Sequence, residues 1–289
     1  MPVSILGAPT RLSAQDRARR AARGGASPRS VPAPLLVPAV IAVAFLVLPL
    51  AGLVIRAPWS RLGAALSGAD AVQALVLSLW TATTATGVCL LIGVPLAWVL
   101  ARTTFPGQRL LRALVTLPLV LPPVVGGVAL LLAFRRAGFI GRLLDSWFGL
   151  TIPFTPLAVV MAETFVAMPF LVITVEGALR SANQGFEEAA ATLGASRMTV
   201  FRRVTVPMIA PSLGAGAVLC WARALGEFGA TITFAGSFPG QTETMPIAVY
   251  YALEDDPDAA IALSLVLLLV SVAVLASLRD RWLRGGAVQ

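Results

Sequence analysis

Apolar residues along this chain are gathered into long blocks, at 35–55, 72–100, 113–134, 156–175, 209–234 and 259–278, with most of the charged residues in the stretches between them. A helix needs about 20 residues to cross roughly 30 Å of hydrocarbon, so the pattern predicts an all-α integral membrane protein of about six transmembrane helices. The first block is too long for the roughly 7–15-residue core of a signal peptide and reads as a retained helix. Prolines stand inside several blocks, at Pro38, Pro49, Pro95, Pro118, Pro122, Pro123 and Pro169. Membrane helices tolerate them and bend at them, so curved and kinked spans are expected.

Composition removes the soluble alternatives. The chain is 57% hydrophobic and 12% charged with a mean hydropathy of +0.85, against about 25% charged residues in soluble domains. All 22 basic residues are arginine, there is no histidine, and the two cysteines, Cys89 and Cys220, lie inside apolar blocks. No metal-ligand set of the usual spacing is present, and no phosphate-binding G-x-x-x-x-G-K-[ST] loop. The expectation is a non-enzymatic chain that binds no metal or cofactor; any ATP and magnesium would be used by another subunit. The net charge of +8 sits at segment ends, which argues against a nucleic-acid partner.

Arginine counts give an orientation. With the amino terminus inside, the 1–34 tail contributes six, the 101–112 loop three, the 176–208 loop four and the carboxyl tail three, against five in the outer loops and Arg223 within a block. Both termini are therefore expected in the cytoplasm of a bacterial cell, with a disordered tail over 1–34, a transmembrane domain over 35–280 and a short tail over 281–289. The outer stretch 236–258 has no arginine and carries Glu243, Glu254, Asp255, Asp256 and Asp258. It reads as a solvated loop; if the cargo is an anion, such a face suits delivery by a separate extracytoplasmic carrier.

The 180–208 loop holds the most informative spacing. Phe186 to Leu193 is a strong helix-forming stretch with a small-residue face, and Gly194 suits the left-handed position that ends a helix. A second short helix is expected, stopped by Pro207, giving an exposed helix-turn-helix that either docks into a partner groove or rests on lipid headgroups. The run Glu188, Ala189, Ala190, then Gly194, then Val204, Val206 and Pro207 resembles the EAA loop of ABC importer permeases, with valine where isoleucine and leucine are common. The resemblance implies a type I importer fold in which these seven residues couple to a cytoplasmic ATPase subunit.

Within the fifth block, Arg223 and Glu227 stand four residues apart, where a pair lowers the cost of each charge in a membrane. They either fix helix packing or line a path. Glu163, lacking a charged neighbour on its own helix, reads as a packing residue or as a proton relay. The run Arg223 to Thr231 and the Pro239-Gly240-Gln241-Thr242-Glu243-Thr244 loop, with 117–127 and 164–170, resemble the molybdate permease subfamily; sulfate and thiosulfate permeases share part of these motifs, and tungstate is an equivalent cargo. The resemblance implies two copies of the chain, two ATPase subunits and an extracytoplasmic binding protein in one complex. With no lysine or histidine, backbone N–H groups and the hydroxyls of Thr231 and Thr233 are the candidate anion donors along the path. Outside that family, an ion-coupled secondary transporter would call for internal repeats, which the halves do not display, and a membrane-embedded enzyme for a nucleophile or base set, which is missing.

Overall fold

A computed structural model describes residues 33–60 and 62–285, and every regular element among them is helical. The 1–34 tail lies almost wholly outside the described residues, as do residues 286–289. The chain divides into a unit ending at Gly52 and a second beginning at Leu53. The first unit holds α1 (Ala33–Ile55) up to Gly52; the helix carries Pro38 and Pro49 internally and an apolar window of mean hydropathy 2.6.

The second unit opens with the short α2 (Leu62–Ser67) and the long α3 (Ala69–Arg102). After α3 come α4 (Gln108–Val120), α5 (Pro123–Phe134), α6 (Gly141–Phe148) and α7 (Pro156–Ser181). The next segment holds α8 (Gly185–Thr192), α9 (Arg197–Val200) and a π-helical turn (Phe201–Thr205) that runs directly into α10 (Val206–Leu225). Then α11 (Gly229–Phe234), α12 (Met245–Asp255) and α13 (Pro257–Gly285) complete the described chain. Five helices are long and apolar enough to cross a membrane, and six if α4 and α5 count as one broken span, which agrees with the sequence expectation.

Four local expectations are corrected. The block 113–134 is no single kinked helix: α4 and α5 meet at 118°. Proline disfavours helical geometry in the residue before it, and consecutive prolines at 122 and 123 hold both Leu121 (ψ 129°) and Pro122 (ψ 131°) extended, so the helix ends. The block 209–234 breaks at Gly226, so Glu227 lies beyond α10 and both Thr231 and Thr233 lie on α11. The outer stretch 236–258 contains α12, whose Met245, Ile247 and Ala248 are buried and whose Met245 N–H donates to Ser78 Oγ of α3 at 2.7 Å. Pro207, finally, stops nothing. The Val206 N–H reaches back to the Phe201 carbonyl in the wider π ladder, and that turn admits the proline ring without ending the helix.

α7 is the centre of the second unit. Its Val160, Ala167, Leu171, Val172, Val175 and Leu179 are buried in one cluster with Ala82, Ala85, Cys89 and Ala97 of α3 and Ile209, Cys220 and Ala224 of α10. Small residues on α3 recur at three and four positions, the period that keeps one helix face together, and they let the backbones approach closely. In lipid, that packing replaces the missing hydrophobic drive between helices. A second cluster joins α5, α7 and α11, where a Cβ at Gly127 would lie 2.6 Å from the Ala230 carbonyl oxygen.

Candidate functional site

The segment 185–207 is built by local signals. α8 closes in a complete Schellman turn: the Ala195 N–H donates to the Ala190 carbonyl at 3.1 Å, the Gly194 N–H donates to the Ala191 carbonyl at 3.0 Å, and Gly194 has φ +85°. Only glycine adopts that conformation without a Cβ penalty. Ser196 then caps α9 by accepting from the Thr199 N–H at 3.3 Å. Of the seven residues singled out here, Glu188, Ala189, Gly194 and Pro207 are exposed, and Ala190, Val204 and Val206 are half-buried. Phe186, Leu193 and Met198 are also exposed, at 61%, 89% and 64%. These three apolar side chains stand open within a segment that is otherwise polar.

The neighbouring acid, Glu187, works inward. Its Oε1 accepts from Arg102 Nη2 at 3.0 Å and from the Thr205 hydroxyl at 2.9 Å, so one oxygen joins α8 to the last turn of α3 and to the start of the α10 helix. The Arg102 side chain is only 7% exposed. Behind this strut, Glu176 Oε1 on α7 accepts from Arg112 Nη2 at 2.8 Å and from Arg180 Nε at 2.9 Å. Gln108 and Arg180 each donate to the Leu100 carbonyl at 2.9 Å, which satisfies a helix end that would otherwise be open. The ends of α3, α4 and α7 are thereby tied together beneath α8. From sequence, Arg102, Arg112 and Arg180 stand only among the arginines of the 101–112 and 176–208 loops that set orientation, and no motif marks Glu176 as their partner. A carboxylate in a basic, membrane-flanking loop was the available clue.

At the other candidate region the structure brings Arg223 and Glu227 together as an ion pair, with the Glu227 side chain 1% exposed. The same carboxylate accepts from the Ala230 N–H at 2.8 Å, capping the first turn of α11, where negative charge is favoured. Its burial is therefore balanced by a guanidinium and a helix end. Thr233 is half-buried and its hydroxyl donates to the Gly229 and Ala230 carbonyls, whereas Thr231 is fully buried and its hydroxyl has no partner among the described residues. Glu163, also 1% exposed, accepts from the Thr81 hydroxyl at 2.9 Å.

Comparisons with known proteins agree with this architecture. The family described as "Binding-protein-dependent transport system inner membrane component" matches residues 93–285. The chain is 49% identical over 247 residues to the molybdenum transport system permease protein ModB of Mycobacterium tuberculosis, covering 86% of this chain and 93% of that one. It is 36% identical over 245 residues to the sulfate transport system permease protein CysT of Salmonella typhimurium, covering 83% and 88%. Among solved structures, a chain of a bacterial ABC transporter that imports the acidic polysaccharide alginate superposes with a TM-score of 0.68 at 17% identity, covering 95% of this chain and 99% of that one.

Proposed function

Since the chain belongs to the family of binding-protein-dependent transport system inner membrane components, we propose that it is the membrane-spanning permease subunit of an ATP-driven importer whose cargo is molybdate. The identity of 49% to a molybdenum permease, against 36% to a sulfate permease over a comparable length, carries that choice of cargo. Tungstate, of the same charge and shape, would travel by the same path, and sulfate or thiosulfate is the second reading.

In this reading two copies of the chain enclose the path, two ATPase subunits sit on the cytoplasmic side, and an extracytoplasmic binding protein delivers the anion. The chain itself binds no cofactor; ATP and magnesium belong to the ATPase. Glu188, Ala189, Ala190 and Gly194 present α8 to a cleft on that partner, with Phe186 and Leu193 as its apolar anchors. Val204, Val206 and Pro207 shape the turn through which α8 passes its displacement into α10. The Glu187 strut supports this role, because movement of α8 is then felt at once by α3 and α10. Arg223, Glu227, Thr231 and Thr233 border the path at the junction of α10 and α11, where the free Thr231 hydroxyl is the group best able to turn toward an oxyanion.

The test is ATPase activity in liposomes holding this chain with its ATPase subunit, on addition of molybdate-loaded, sulfate-loaded or empty binding protein. Stimulation by the molybdate-loaded form alone is expected. Stimulation by the sulfate-loaded form would move the cargo, and failure of the two chains to associate would overturn the importer assignment.

A further inference from the structure

Two concavities meet where α3 ends. One is an apolar groove of about 270 Å³ lined by Pro95, Trp98, Val99, Met198 and Phe201, with Arg197 at its edge. The other is a polar cavity of about 430 Å³ between α8 and the end of α3, to which Arg102, Thr103, Gln184 and Glu187 contribute. They share Trp98, Arg197 and Phe201, and the rings of Trp98 and Phe201 stand edge to face with centroids 6.4 Å apart. The charged side chains lining the cavity are two guanidinium groups against one carboxylate, which leaves it positive. The exposed Arg197 side chain makes no ion pair or hydrogen bond among the described residues. Arg102 spends Nη2 on Glu187, while its Nε and Nη1 are buried without a partner. Buried cationic donors without acceptors are costly, and a negative charge in the adjoining cavity would offset the unbalanced guanidinium groups that line it.

We propose that this is a site for one anionic phospholipid, its acyl chain in the groove against Trp98 and Phe201 and its phosphate between Arg197 and Arg102. The apolar half decides against a soluble anion, which has no use for a groove formed on two membrane-spanning helices. The stripe of α8 that faces the cavity, Glu187 and Ala191, is distinct from the exposed Glu188 and Ala189 that the proposed function assigns to the ATPase, so both partners fit at once. A basic pocket between helix ends at the membrane surface is a setting in which lipid headgroups bind. The lipid then ties α9 to α3, beside the Glu187–Arg102 bond that ties α8 to α3. The site rests on the membrane-spanning fold alone; only the identity of the leaflet depends on the proposed orientation.

Native mass spectrometry of the full-length chain, released from detergent with equimolar phosphatidylglycerol and phosphatidylcholine, tests the proposal without any transport assay. One retained phosphatidylglycerol per chain is expected, under activation that strips phosphatidylcholine. Arg197→Gln, a change at an exposed side chain that does not endanger folding, should lower retention about fivefold, and Trp98→Ala should weaken phosphatidylglycerol retention as well. Arg142→Gln, elsewhere on the chain, should leave it unchanged. Equal retention of the two lipids, or wild-type retention by Arg197→Gln, would overturn the site. Displacement of phosphatidylglycerol by millimolar glycerol phosphate would also overturn it, by making the soluble headgroup the ligand.

Discussion

Glu187 and Glu188 are adjacent yet face opposite tasks, and substitutions should separate them. Glu188 is exposed, with no side-chain partner among the described residues, so Glu188→Lys should leave insertion and thermal stability unchanged while abolishing binding-protein-stimulated ATPase activity and uptake. Full uptake by this variant would remove it from the coupling surface. Glu187→Ala leaves Arg102 buried without its counter-charge, a loss of about 3–5 kcal/mol for such pairs. The melting temperature should therefore fall along with uptake, and the Arg102→Glu/Glu187→Arg swap should recover part of both. Thr231 allows a cleaner division. Its buried hydroxyl has no partner among the described residues, so Thr231→Val should cost little stability, and a fall in uptake at unchanged melting temperature would assign the hydroxyl to the path. The short helix, glycine turn and second helix from Gly185 to Val200 were legible because their signals are local. The partner of Glu187 was not, since Arg102 stands 85 residues away and nothing in a loop's composition names a distant contact.

Among elements, the spans were legible and their interruptions were not. Block length reports only that a segment is apolar enough for lipid, and α10 and α11 are equally apolar on either side of the break at Gly226. The Leu121-Pro122-Pro123 break was written in the sequence, yet a single proline bends a helix where two in succession extend two residues and end it. Pro207 misled in the opposite direction, because the π turn at 201–205 absorbs it. The glycine ending α8 read correctly, since the Schellman turn depends on one residue's φ. Gly194→Asp forces a side chain into that conformation at a cost of about 1–2 kcal/mol; circular dichroism and insertion should be near normal while coupled ATPase activity is lost. Gly127→Ala attacks packing instead. Its Cβ meets the Ala230 backbone oxygen at 2.6 Å, a neighbour that cannot rotate aside, so α5 and α11 must separate. The expected loss is about 1–3 kcal/mol, read as a lower melting temperature and faster proteolysis in detergent.

At the scale of the whole molecule, α7 is the post around which α3, α10, α5 and α11 are fitted, with two thirds of its apolar window buried (67%). Composition anticipated a bilayer protein but not which helix would be innermost, because α3 and α7 are about equally hydropathic, at 2.0 and 2.1. Burial is decided by partners, which a single segment's composition does not encode. The broken span has a further effect on the bilayer itself. α4 has 13 residues and α5 has 12, about 20 Å and 18 Å at 1.5 Å per residue, so neither limb alone crosses 30 Å of hydrocarbon and their junction falls inside it. Pro122 and Pro123 have no N–H to offer the carbonyls four residues behind them, those of Pro118 and Leu119. Oxygen atoms without donors persist at that depth only against protein or water, so the junction should be a small wet spot within the oil. Isotope-edited infrared spectroscopy would register it: ¹³C=¹⁸O labels at Pro118 and Leu119 should absorb at the lowered, broadened amide I frequency of hydrated carbonyls, whereas a label at Ala167 in the core of α7 should give the narrow band of a dry helix.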